Sequence, residues 1–258
     1  MKSNYRYIVK AFMAMAVIAG TTSCDDFLDR EPMSSISPET YYSTAAQLEA
    51  NLNDEYPNVL PSFGQWTYGI FGEDKGTDNQ IEVNANDRYT QDRWKVPHSE
   101  SDNWKFERIY RINFFLSEAL PKFGEDMSGS QNTISGSVAT IKHYIGEMYF
   151  LRAYEYFKKL QLFGDFPIIN QPLADEMEAL REASKRFPRN EVARFIISDL
   201  DKAYAYMSDV DMATTRINKD AAMLVKSRVA LFEATWLQNF KGTAFVPGGE
   251  GWPGASLH

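Results

Sequence analysis

The side chains best suited to chemistry lie in one stretch, residues 61–101, PSFGQWTYGIFGEDKGTDNQIEVNANDRYTQDRWKVPHSES. It mixes Trp66, Tyr68, Tyr89 and Trp94 with Asp78, Asn79, Glu82, Asn84, Asn86, Asp87 and Arg88. A sugar presents apolar C–H faces and hydroxyl edges. A site for it therefore needs an aromatic platform for the face and planar Asn, Asp or Arg groups for the edges. This stretch has both and does not fit a helical pattern, which makes it a loop, where binding residues concentrate. The candidate ligand-binding residues are Trp66, Tyr68, Asp78, Asn79, Asn86, Tyr89 and Trp94. The competing reading is that Trp66 and Trp94 only pin a long loop to the helices. Trp104 stands at the start of a helical face and reads as core.

Catalytic and metal chemistry find little support. His143 and Glu147 are one helical turn apart, but no HExxH motif surrounds them. His143 reads as a helix-surface or satisfied core histidine. His98 is a loop residue and His258 ends the chain, so neither points to a triad. Gly249 to Gly254 (GEGWPG) matches GxGxxG literally, yet it follows no strand pattern and carries Pro253 where a helix should start. It is not a nucleotide loop. The 35 acidic residues allow many carboxylate pairs, and nothing singles one out for glycoside hydrolysis.

The single cysteine is the other chemically marked residue. Lys2, Arg6 and Lys10 precede an apolar run, AFMAMAVIAG, and Thr21, Thr22 and Ser23 lead into Cys24. That is the layout of a secretory signal. Ten apolar residues make a helix of about 15 Å, half of a ~30 Å hydrocarbon core, so the run does not span a membrane. With no partner for a disulfide, a cysteine at the cleavage point reads as a lipidation site, although Thr21 stands where Leu is commonest. Removing residues 1–23 deletes three basic residues and no acidic one, taking the net charge from −8 to −11. An acidic chain of this kind argues against nucleic acid and against an anionic membrane surface. Contact with a membrane is expected only through the lipid anchor. The expected organisation is a lipoprotein signal peptide at 1–23, a tether at 24–37 and one helical domain at 38–258.

The rest of the chain reads as helices. Thr44 and Gln47 form a capping-box pair ahead of Leu48, Leu52, Tyr56 and Val59, with Pro61 beyond the end. Phe106, Ile109, Ile112, Leu116 and Leu120 recur at helical spacing, closed by Pro121. Residues 137–163 form the longest run, apolar around much of its circumference and ending at Gly164. Asn190 is expected to cap a fourth helix, and Asn218 a fifth that carries Ala221, Ala222, Leu224, Val225, Val229 and Phe232. The pattern is all-α, built of stacked helices.

Several of these segments, in order, resemble a known family. They are CDDFLDREP, YYSTAAQLEANLNDEY, WKFERIYRINFFLSEAL, GEMYFLRAYEYFKKLQLFGDFPII, RNEVARFIISDLDKAYAYM and INKDAAMLVKSRVALFEATW. Together they resemble the SusD/RagB family of outer-membrane nutrient-binding lipoproteins, most specifically over Gly146 to Ile168. The resemblance implies stacked tetratricopeptide-like helix pairs with long irregular loops. It implies a cell-surface subunit that captures oligosaccharides without cleaving them and hands them to a SusC-like TonB-dependent outer-membrane transporter. It makes Asp25, Asp26 and Asp29 a surface-export signal behind a lipidated Cys24. No cofactor or metal is implied. Family members are considerably longer, so the chain is expected to be an N-terminal portion with the C-terminal part missing. The alternative functions are a docking module of the transporter complex that binds no sugar, a truncated inactive fragment and, more weakly, a surface glycoside hydrolase.

Overall fold

The computed structural model of the chain describes residues 41–61, 103–208 and 215–254. These residues form α1 (Ala45–Val59), α2 (Glu107–Phe123), α3 (Val138–Phe163), α4 (Met177–Ala183), α5 (Arg189–Tyr206) and α6 (Lys219–Asn239). Among the described residues β-type pairing is limited to two isolated bridges, Thr44 with Ser135 and Phe166 with Phe187. The fold is all-α, as expected. Contacts divide the chain between Tyr41 and Tyr42, and every helix named here lies in the part from Tyr42 onward.

Local signals explain most helix ends. The Thr44 side chain accepts from the Gln47 amide while the Gln47 side chain accepts from the Thr44 amide, closing the expected capping box of α1. Asn218 caps α6 by accepting from the Ala221 amide at 2.9 Å. Two expectations are corrected, and one helix is new. Pro121 does not close α2 but lies in its last turn, because buried Phe123 anchors one more step and the Gly124 amide closes the end on the Leu120 carbonyl at 2.9 Å. Asn190 is not a cap. Pro188 takes that position, and the Arg189 amide is satisfied at 2.9 Å by Asp165, a residue far away in sequence. The seven-residue α4 was not anticipated, and having no buried residue it leaves no apolar face to read.

Packing centres on α3, which touches α1, α2, α5 and, lightly, α6. The α2–α3 hairpin and the α5–α6 hairpin stack through α3 and α5 in the tetratricopeptide-like manner expected of the family. The stack is close at Gly146, where an added Cβ would stand 3.0 Å from the Met207 amide nitrogen and 3.2 Å from the Ala203 carbonyl. Helix α6 is covered mainly by α5, so Ala222 and Val229 are buried while Leu224 is 71% and Leu231 66% exposed. Leu224, one of the apolar residues that the sequence puts on this helix, therefore lies on its uncovered side.

Because α3 is enclosed, His143, Glu147, Arg152, Glu155 and Lys159 are buried too, and each has a charged or hydrogen-bonding partner. Arg152 makes a two-pronged ion pair with Asp199 of α5 at 2.6 and 2.8 Å, and also donates to Asn113 Oδ1 of α2 at 2.9 Å and the Asn170 carbonyl at 3.1 Å. Glu147 accepts from Arg216 at 2.6 and 2.8 Å and from Tyr56 of α1 at 2.8 Å. Tyr156 donates to the Ile169 carbonyl at 2.9 Å and accepts from the Ile169 amide at 2.8 Å, and burial pushes its phenol well above the ordinary range. Removing one partner of a buried ion pair strands the other charge, at a cost of about 3–5 kcal/mol. Asp199→Ala is expected to lower unfolding free energy by that amount in urea titration. The double change Arg152→Met with Asp199→Leu is expected to cost clearly less than the two single losses added together, and an additive loss would show that the pair is not coupled.

Candidate functional site

The seven expected ligand-binding residues, Trp66, Tyr68, Asp78, Asn79, Asn86, Tyr89 and Trp94, and the lipidation residue Cys24 lie outside the described residues. The two ends of the segment that carries the seven are described, and both are tied to the last turns of α3. Lys158 Nζ donates to the Val59 carbonyl at 2.8 Å, and Lys159 Nζ donates to the Asn103 carbonyl at 2.7 Å. The buried Glu155 carboxylate lies between the two ammonium groups, 2.7 Å from Lys158 and 3.4 Å from Lys159. The sequence expectation for Trp104 needs adjusting. It precedes α2 and is half-buried, with Phe163 and Phe166 edge-on at 4.8 and 4.9 Å and the Arg186 guanidinium 4.7 Å over its ring.

Beyond α3 the chain turns sharply. Gly164 adopts φ +68°, a backbone that a side chain would strain, and its amide closes the helix on Leu160. Phe166 then exchanges backbone hydrogen bonds of 3.1 and 3.0 Å with Phe187, bringing the start of α5 beside the end of α3. Asp165 works in two directions there. Its Oδ1 accepts from the Arg189 amide and its Oδ2 accepts from Trp252 Nε1 at 2.9 Å. Arg189 in turn pairs with buried Glu233 through three contacts of 2.9–3.1 Å and lies 4.1 Å over the ring of Trp236. These restraints frame a cavity of about 290 Å³ lined by Trp236, Phe245, Trp252, Asp165, Arg186 and Gln161. It combines aromatic rings with planar amide, carboxylate and guanidinium groups, which is the pairing that sugar faces and edges require.

A second cavity, of about 500 Å³, opens beside Val59 and Pro61, where the 62–102 segment leaves the helices. Gln161 lines both cavities. Sequence reasoning missed the residues of the aromatic cavity. Phe163 to Pro167 was legible as a family signature without a role. Trp252 was seen only inside a discarded glycine motif, and Trp236 sits unremarkably on a helix. A tryptophan in the glycine-rich tail, where no helical face needs it, was the available signal.

His143 belongs to the core. Its Nδ1 accepts from the Ser208 amide at 2.9 Å, and its Nε2 lies 2.9 Å from Glu147 and 3.2 Å from the Ile217 carbonyl. Both nitrogens are occupied by protein groups, and no metal-holding cluster occurs among the described residues. The Gly249–Gly254 stretch follows α6 as a series of turns, with no strand before it.

The lysine clamp at the end of α3 yields a direct test. A hydrogen bond from a charged donor contributes roughly 1.5–3 kcal/mol. Lys159→Met is therefore expected to speed amide hydrogen exchange at Tyr110, which bonds the Phe106 carbonyl at the start of α2, by about tenfold or more, while exchange at α5 stays unchanged. Equal protection in the variant would show that the clamp holds nothing.

A family model for SusD-like proteins, described as "Starch-binding associating with outer membrane", matches residues 26–231, well over half of the chain. A SusD-like protein of Formosa agariphila is 25% identical over 253 residues, which are 93% of this chain and 46% of that protein. Another from the same organism is 25% identical over 233 residues, covering 83% of this chain and 41% of the relative. The chain thus spans less than half the length of these curated relatives. The crystal structure of a SusD-like carbohydrate binding protein from Bacteroides vulgatus superposes with a TM-score of 0.50 at 16% identity, over 76% of this chain and 43% of that one, a likeness of fold. On the extent of the family match, the chain belongs to the SusD-like family.

Proposed function

We propose that the chain is the glycan-capturing part of a cell-surface lipoprotein, binding oligosaccharide without cleaving it. The observation that carries this reading is the aromatic cavity at the end of α3, where Trp236, Phe245 and Trp252 meet Asp165, Arg186 and Gln161. The clamped ends of the 62–102 segment lie on the same helix end, so Trp66, Tyr68, Asp78, Asn79, Asn86, Tyr89 and Trp94 are proposed to extend the binding surface from there. Membership of a family described as starch-binding and associated with the outer membrane supports both the ligand class and the location. Cys24 is the proposed lipid attachment point, and transfer of captured glycan to a SusC-like TonB-dependent transporter is the proposed next step.

Calorimetry of the chain from Asp25 onward against a panel of oligosaccharides tests the binding claim. Binding is expected to weaken about tenfold, equivalent to 1.4 kcal/mol, on Phe245→Ala, whose ring is 62% exposed and therefore dispensable for folding. Trp94→Ala is expected to weaken it similarly. No heat with any glycan would favour a docking module instead, and release of reducing ends would contradict capture without cleavage.

The anchor is tested separately by fractionation. Two or more acyl chains hold a protein stably at a bilayer, each buried methylene contributing about 0.8 kcal/mol. Cys24→Ala is accordingly expected to move the protein from the membrane fraction to the soluble one. Retention in the membrane would refute lipidation at Cys24.

A further inference from the structure

The second cavity differs from the first in charge. Its about 500 Å³ are lined by Arg108 from α2, Lys158 from α3 and Arg228 from α6, with Tyr154, Gln161 and Asn58 among the other lining residues, and no carboxylate of the described residues lines it. This happens in a chain of net charge −8. Lys158 is compensated by Glu155 at 2.7 Å and held by the Val59 carbonyl. Neither Arg108 nor Arg228 forms an ion pair with any described residue, and both are exposed. The Arg228 guanidinium carbon lies 5.9 Å from the ring centre of Phe157, and Lys158 Nζ lies 5.8 Å from that of Tyr154. Two guanidinium groups from two different helices, neither in an ion pair among the described residues, therefore line a polar cavity that also holds an aromatic ring and a primary amide, with Glu55 the carboxylate whose charge Arg108 feels.

We propose that this cavity recognises an acid group on the captured glycan, so that the ligand class is an anionic oligosaccharide bearing uronate carboxylates or sulfate esters. The inference rests on the glycan-binding reading above. A guanidinium presents a planar fork of N–H donors that meets the paired oxygens of a carboxylate or sulfate, whereas neutral hydroxyls offer no charge to match it. Tyr154 and Gln161 supply the ring contact and the hydroxyl contact that a sugar needs and a bare ion does not. Gln161 lines both cavities, so one oligosaccharide can reach from the aromatic cavity into the basic one.

The test uses the full chain in detergent, with an oligogalacturonide, a sulfated galactan oligosaccharide and a maltooligosaccharide of matched length as probes. At least one acidic probe is expected to bind about tenfold or more tightly than the neutral one, and to weaken as salt is raised. Arg108→Met with Arg228→Met is expected to abolish that preference without shifting the thermal unfolding midpoint, since both side chains are exposed. Arg108→Lys with Arg228→Lys is expected to restore part of it. Which acidic probe gains separates carboxylate from sulfate recognition. Neutral binding that equals acidic binding, or an acidic preference that survives the double methionine variant, overturns the inference while leaving glycan capture standing. Equal competition by free inorganic sulfate also overturns it, because the site would then be an anion site only. Failure of the native chain to bind any probe overturns the capture reading and this inference together.

Discussion

The structure depends on one constraint, that α3 has almost no exposed side. A 26-residue helix packed by four others must either be wholly apolar or have every polar group matched. It takes the second course. At about 100° per residue, His143 and Glu147 share one face, and Arg152, Glu155 and Lys159 lie roughly opposite. The first pair secures α1 and the connection into α6 through Tyr56, Arg216 and the Ile217 carbonyl. The second group secures α5, α2 and the Asn103 end of the 62–102 segment through Asp199, Asn113 and the Asn103 carbonyl. Apolar contacts could slide by a helical turn at modest cost. Paired buried charges cannot, because each slip would strand a charge. The polar groups therefore fix the register of the stack, which apolar burial alone leaves loose.

This also explains what was legible in the sequence. Apolar spacing located five helices, and Thr44 and Asn218 marked two starts, because capping and one-sided burial are local effects. The capping of α5 by Asp165 was illegible, since the acceptor comes from the far end of another helix. Pro121 misled because a proline in the last turn loses only one backbone hydrogen bond, which the burial of Phe123 outweighs. The exposure of Leu224 was not legible, because the periodicity of α6 shows that two faces are apolar without saying which one α5 covers. The buried ions of α3 were not singled out, as nothing local distinguishes a lysine that reaches solvent from one that holds a carbonyl.

The candidate site follows the same division. Aromatic and planar polar residues in 61–101 were visible by composition. The cavity of Trp236, Phe245 and Trp252 was not, because it is assembled from α6, its C-terminal tail and the turn after α3. Its placement on helix ends, with Asp165 and Arg189 each holding two partners, gives the preorganisation that loops alone lack.

Charge decides how the two cavities divide their work. The chain as a whole is acidic and would repel an anionic ligand at long range, but charges in solvent are screened over about 8 Å at physiological ionic strength. Inside that distance the groups lining a cavity outweigh the average of the surface. The aromatic cavity has Asp165 and Arg186 in its lining and an Arg189 neutralised by Glu233, so its charges are close to balanced, which would suit the face of a neutral sugar in the proposed reading. Among the described lining residues the cavity of Arg108 and Arg228 carries only positive charge, and in the proposed reading it would discriminate by the substituent on the sugar. A site divided as proposed would gain affinity from stacking and selectivity from charge, and Gln161 lines both cavities.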